Sequence, residues 1–348
     1  MTTTVTKTVK SSGGDYTSLS AWEAGRQADL TAADSIEQAE VYAFNDTTVF
    51  TIDGWTTDAT RYIRIYAASG QGHNGAWDTS KYYISGTNVG AGITGFGICT
   101  VKEEYVRFEG LQFELTVTDS AFQGGICVGQ LAAASDVRII NCLFKGVVSG
   151  NDGNGCGVLM YDDADGNCVA RVVNCVFFDF MDTSFPNSNV GSGFYNWFGD
   201  GRCYNCTAYN CGTGFRVAGT TYKLTAVNCL AYCKNVNTNY ADFDASARFQ
   251  NSSNNCAGDA TAPGSSCLQS QGASALRLGS LTSTSASFLL PDRASSLVNM
   301  GAYDPASGLY QADLVGRTRS YPWDIGARDA GIPVRSYANH PHRALRTA

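Results

Sequence analysis

The 348-residue chain is predicted to be an all-β protein, a single right-handed parallel β-helix solenoid that starts with an N-terminal helical cap. Three observations carry that prediction. A short frame recurs as Val137-Arg-Ile-Ile-Asn-Cys142, Ala170-Arg-Val-Val-Asn-Cys175, Gly201-Arg-Cys-Tyr-Asn-Cys206 and Leu224-Thr-Ala-Val-Asn-Cys229. A glycine pair or Gly-x-Gly opens an apolar run ahead of each frame, at Gly124, Gly155, Gly191 and Gly212. Charged residues make up 16% of the chain, with 38 Gly and 7 Pro, which suits many short strands joined by tight turns.

The intervals between frames are unequal, whereas helical solenoids keep a nearly fixed period. Variable loops between constant strands explain this. Each repeat then holds three strands: the Gly-led run, the Arg-bearing run, and the run after the Asn, as in Leu143-Phe144 and Val176-Phe177-Phe178. A one-residue Asn turn joins the second to the third, because Asn tolerates the left-handed conformation that such a corner needs. The rise per repeat is one strand spacing, about 4.8 Å.

Residues 1–60 are expected to form the cap. Leu19, Trp22, Leu30 and Ile36 mark one or two amphipathic helices, with Ser18 or Ser20 as N-cap. Residues 61–300 form the body, although the Ser- and Asn-rich stretch from 235 to 300 does not phase. Asn255-Cys256 reads as one further repeat. Residues 301–331 form a closing segment, and 332–348 a basic arm carrying Arg335, Arg343 and Arg346.

The net charge of −7 argues against a general nucleic-acid binder, whose affinity comes from neutralising phosphates. No apolar run is long enough for a membrane span, and Met1-Thr-Thr-Thr-Val-Thr-Lys7 lacks the apolar core of a signal peptide. The 13 cysteines are therefore expected as reduced thiols. Cys142, Cys175, Cys206 and Cys229 share a repeat position with Leu111, which marks them as packing residues. Cys203 to Cys233 are spaced like metal ligands, but no His lies near them and two belong to the frame, so no metal site is expected. The three histidines are too scattered for a triad, and no cofactor motif is present.

Three constellations remain. Alternation turns Arg107, Arg138, Arg171 and Arg202 outward in one stripe, where neighbouring like charges repel by about 1 kcal/mol in water. Glu103, Glu104, Glu109, Asp136 and Asp179 are the acids at hand. The stripe is either a solvated face or a docking face for an acidic subunit or polyanion. Tyr161, Tyr195, Trp197 and Arg216 face outward on neighbouring Gly-led strands, as a glycan surface or as a face covered by a loop or subunit. Asp163 and Asp200 leave adjacent strands, as turn residues or as a carboxylate pair of the kind that hydrolyses glycosides.

The triple-strand repeat with its Asn corner resembles the pectate-lyase-like β-helix superfamily. Gly13-Gly-Asp-Tyr-Thr-Ser-Leu-Ser-Ala-Trp-Glu23, the stretch Thr51 to Ile65 and Asp324-Ile-Gly-Ala327 are similar to uncharacterised phage and bacterial β-helix proteins. That resemblance covers nearly the whole chain and implies lyases, glycosidases or phage tailspikes, the last commonly trimers. The aspartate cluster of the calcium-dependent lyases has no counterpart here. The expectation is a virion structural protein, a head decoration, spike or tailspike-like component. It would be assembled in a host cytoplasm, displayed on the virion surface, and in contact with other virion proteins and host glycans. The alternative is a polysaccharide lyase or glycoside hydrolase working in a β-helix groove.

Overall fold

The computed structural model describes residues 2–90, 96–119, 122–129, 131, 135–149, 154–161, 168–182, 191–218, 222–233, 241–244 and 248–331. It is mostly strand, in three parallel sheets of eight, eight and seven strands. Successive strands visit the sheets in a fixed cycle. Val106–Glu109, Gln112–Val117 and Phe122–Val128 make one round, and Val137–Ile140, Leu143–Val148 and Asn154–Met160 the next. Each strand pairs with its equivalents one round before and one round after. This arrangement fits a parallel β-helix. We call the three sheets, in order of visit, the arginine, phenylalanine and glycine sheets.

The arginine sheet passes to the phenylalanine sheet at the Asn corner. Asn141, Asn174, Asn205 and Asn228 all have φ between 51° and 57°, and Gly110 takes the place in the preceding round with φ 70°. Two residues, Asn and the following Cys, lie between the strands instead of the single Asn expected. The Cys side chains turn inward and are buried. Asn174 Nδ2 donates to Asn141 Oδ1 at 3.2 Å and Asn228 Nδ2 to Asn205 Oδ1 at 2.9 Å. At the last corner the left-handed residue is Asn254, while Asn255 turns inward and accepts from Cys229 N. The following Cys256–Ala257 is the last strand of the phenylalanine sheet, in keeping with the further repeat expected at Asn255-Cys256.

The interior explains the glycines. Phe113, Phe144 and Phe177 stack with ring centroids 4.9 and 5.2 Å apart. They press against the glycine sheet where Gly125, Gly157 and Gly193 stand. A Cβ on Gly157 would collide with the Phe177 ring and sit 2.7 Å from Gly193 O. Gly-x-Gly thus marks where the backbone must approach an aromatic stack.

Helix Leu19–Arg26 begins at Ser18, whose hydroxyl accepts from Ala21 N. It buries Leu19 and Trp22 and lies against Phe50–Ile52, the first strand of the glycine sheet. The first sixty residues also supply strands to all three sheets.

Residues 272–331 run along the outer side of the phenylalanine sheet. Phe288, Leu289 and Leu314 cover the outward side chains Leu143, Val176 and Phe178 of the phenylalanine sheet. Ala302 O and Ala312 O accept from the amides of Asn228 and Asn174. The fully buried Arg319 donates to Asn174 Oδ1 and to the carbonyls of Gly326 and Ala327. The wrap therefore bridges corners of separate rounds.

Candidate functional site

Register places the arginines in one straight row. Arg64 pairs with Arg107, Arg107 with Arg138, Arg138 with Arg171, and Arg171 with Arg202. Thr225 takes the next place, on the last strand of that sheet. Buried Val137, Ile139, Ala170 and Val172 on either side force the guanidiniums outward by strand alternation.

Counter-charges accompany the row. Asp136 accepts from Arg138 Nε at 2.7 Å and is shared with Arg171. Arg202 Nε donates to Asp200 at 3.0 Å, and Arg64 pairs with Glu109. Arg107 lies instead over the Tyr62 ring, 3.2 Å from its centroid. Of the acids expected beside the row, Glu109 and Asp136 serve. Glu103 is buried and accepts from Trp55 N, and Asp179 accepts from Asn210.

The C-terminal part of the row lies in a cleft. One stretch, about 500 Å³, is lined by Asp136, Arg138, Arg171, Arg202 and Tyr204 and walled by the lip 305–309. The adjoining stretch, about 780 Å³, shares Arg202, Tyr204 and Pro305 and adds Tyr222, Lys223, Gln250 and Asn251. Among the described residues this cleft presents four cations, Arg138, Arg171, Arg202 and Lys223, against the two carboxylates Asp136 and Asp200. Its excess positive charge contrasts with the negative chain as a whole.

Asp163 lies outside the described residues, and the Asp163–Asp200 constellation with it. The carboxylates that the cleft does align are Asp136 and Asp200. Val137 pairs with Ala170, and Val169 with Asp200, so the two stand two strand spacings apart, about 9.6 Å. Glycoside hydrolysis would need one of such a pair protonated near neutrality. Burial alone would raise the Asp136 carboxyl, but its hydrogen bond to Arg138 and the Arg171 charge outweigh this and hold it below the ordinary aspartate value. Asp200 accepts from Arg202 Nε. Both serve as counter-ions.

The aromatic candidates gather on the outer face of the glycine sheet. Tyr161 and Trp197 have centroids 5.3 Å apart, and Phe122 packs on Trp197 at 4.8 Å. Tyr195 is 4% exposed, because Phe122 and Trp197 cover it, so it offers no surface to a ligand. Arg216 lies over the Tyr195 ring and pairs with Asp244 at 3.4 Å. The cluster is a secondary apolar core with Tyr161 and Trp197 half-exposed at its rim. Arg335, Arg343 and Arg346 lie outside the described residues.

Lys223, Tyr204, Tyr222 and the lip are not among the residues that the sequence singles out. Alternation turns Tyr204 outward beside Arg202, a signal legible in the repeat frame. The lip comes from a segment with no repeat phase. Among the described residues no group of His, Cys, Asp and Glu is placed to hold a metal ion, and no helix is long and apolar enough to cross a membrane. No protein-family model, curated protein or solved structure matches the chain.

Proposed function

We propose that the three sheets are the faces of a right-handed parallel β-helix, and that the protein is a rigid, non-catalytic scaffold that docks acidic partners in the arginine cleft. The observation that carries this is the cleft itself: in-register guanidiniums, outnumbering their carboxylates, beneath a wall contributed by a different part of the chain. Pre-positioned arginines recognise carboxylates in fixed geometry at low entropic cost. A virion surface is the proposed setting, with other virion proteins as partners and host glycans as a second ligand class. Polysaccharide cleavage is the weaker reading, because the aligned carboxylates are neutralised by arginines.

Binding of fluorescent poly-glutamate, followed by anisotropy at low salt, tests the docking role. Arg138→Ser with Arg171→Ser is expected to weaken binding at least tenfold, with Arg64→Ser, which lies outside the cleft, close to wild type. Equal binding by all three proteins would reduce the row to a solvated face. Density-gradient fractionation of particles tests the setting, and a protein found wholly apart from particles would overturn it.

A further inference from the structure

The segment that carries the lip has a second feature that neither the repeat nor the arginine row explains. Met300, Tyr303 and Tyr321 are 42%, 60% and 66% exposed, among the few large apolar or aromatic side chains left so open. Tyr303 and Tyr321 lie together on the wrap, and Met300 stands three residues before Tyr303. Tyr303 packs edge-on against Tyr321 at 5.7 Å and against the buried Trp323 at 5.9 Å. The platform is anchored to the body. Met300 O accepts from Asn254, Gly301 pairs with Trp323, and Ala302 is held on both sides by the Asn228 amide. Two residues beyond Tyr303, Pro305 already lines both stretches of the cleft. An apolar platform and a cationic trough thus share one edge.

We propose that this composite surface docks an acidic segment of a partner polypeptide, its carboxylates over Arg138, Arg171, Arg202 and Lys223 and an apolar side chain against Tyr303 and Tyr321. The inference rests on the docking role of the arginine cleft and adds the nature of the partner. Charge complementarity requires an acidic occupant, since the trough holds more cations than carboxylates. The platform selects a polypeptide. Tyr, Met and Arg are among the residue types enriched at protein interfaces, and Tyr and Arg are enriched among their hot spots. A rigid tyrosine pair buries large area at little entropic cost. Its apolar counterpart is a side chain, which a uniformly hydroxylated polyanion lacks. Anchoring on Asn228 and Asn254 keeps the platform in fixed relation to the row, so that one ligand spans both.

The test uses the full chain and three fluorescent probes: an octaglutamate, the same peptide with one central tryptophan, and an oligogalacturonate. The tryptophan peptide is expected to bind about tenfold tighter than octaglutamate. Tyr303→Ser or Tyr321→Ser should remove most of that difference while leaving octaglutamate affinity unchanged. Both substitutions are at exposed positions, and an unchanged melting curve shows that each variant is folded. Arg171→Ser with Arg202→Ser should weaken both peptides. Equal affinity for the two peptides, or tightest binding of oligogalacturonate with no effect of the platform variants, overturns the polypeptide assignment and leaves the arginine cleft standing. Failure of every acidic probe to bind removes the cleft role as well.

Discussion

Asp136 is the keystone of the arginine row, and replacing it with Asn separates the row's structural charge balance from the docking role proposed for it. Arg138 and Arg171 both close on this carboxylate, and their strands are neighbours. At the strand spacing of about 4.8 Å, two like charges repel by about 1 kcal/mol in water and by about 3 kcal/mol at the effective dielectric of a protein surface. The side chains are roughly one-quarter exposed, at 26% and 28%, so a value near 2 kcal/mol is appropriate. With the loss of a charge-assisted hydrogen bond, Asp136→Asn is expected to cost about 3 kcal/mol at low ionic strength. The assay is urea unfolding at 20 mM and 500 mM NaCl. The deficit should shrink by about half at high salt, where the Debye length falls to a few ångström. It should also shrink in acid. The folded-state pKa of Asp136 is depressed, so its contribution is present above the unfolded aspartate value and is lost as pH falls through the folded one. Poly-glutamate, by contrast, should bind the variant about fivefold tighter, since one competing carboxylate has left the cleft. A salt-independent deficit, or weaker binding of the anion, would refute the reasoning.

Gly157→Ala is expected to destabilise the protein by about 3 kcal/mol, at the upper end of the overpacking range, because its Cβ meets both Phe177 and the Gly193 carbonyl. An unchanged melting temperature would show that the aromatic stack yields. Burial raises the Glu103 and Asp242 carboxyls to about 7, with Asp259 adding to the effect at Asp242. Their contribution is present below the unfolded carboxylate values and is lost as pH rises through about 7. His73, held down to about 4 chiefly by burial, works in the opposite direction. The readout is therefore the difference between wild type and Glu103→Gln, whose melting temperature should fall less from pH 5 to 8; parallel curves would exclude Glu103. Finally, twelve of the thirteen free thiols are buried, and burial pushes those of Cys175, Cys203 and Cys229 up. A chromogenic disulfide should label Cys267 first in the native protein, and rapid labelling of several sites would contradict this packing.

What the chain spells out locally is whatever recurs under a local constraint. A left-handed corner demands Asn, a backbone pressed on a phenylalanine stack demands Gly, and an outward place between two inward ones admits Arg. Each mark appears once per round, so the strands of the middle rounds can be phased from the amino-acid sequence alone. The wrap has no such mark, because its constraints are long-range: Arg319 sits where Asn174 and its own carbonyls meet, and nothing near it in sequence says so. That residues 305–309 wall the cleft therefore has no local signal. Tyr195 shows a second limit. Alternation tells which side of the sheet it faces but not that Phe122, on a strand two rounds earlier, folds over it. Asp200 is held by the arginine two residues along its own strand, a contact that alternation alone does not announce.

The wrap's attachment to corners of several rounds also changes how the molecule comes apart. A stack in which each round touches only its neighbours can fray from an end, one round at a time. Here a single segment grips Asn141, through Tyr310, and then Asn174, Asn228 and Asn254, so a round cannot leave without breaking a clasp shared with distant ones. The rounds from Asn141 to Asn254 are then tied into one mechanical unit. Because the same segment forms the lip, an occupant of the cleft would tighten the clasp, and loss of the clasp would dismantle the cleft before any strand unpaired.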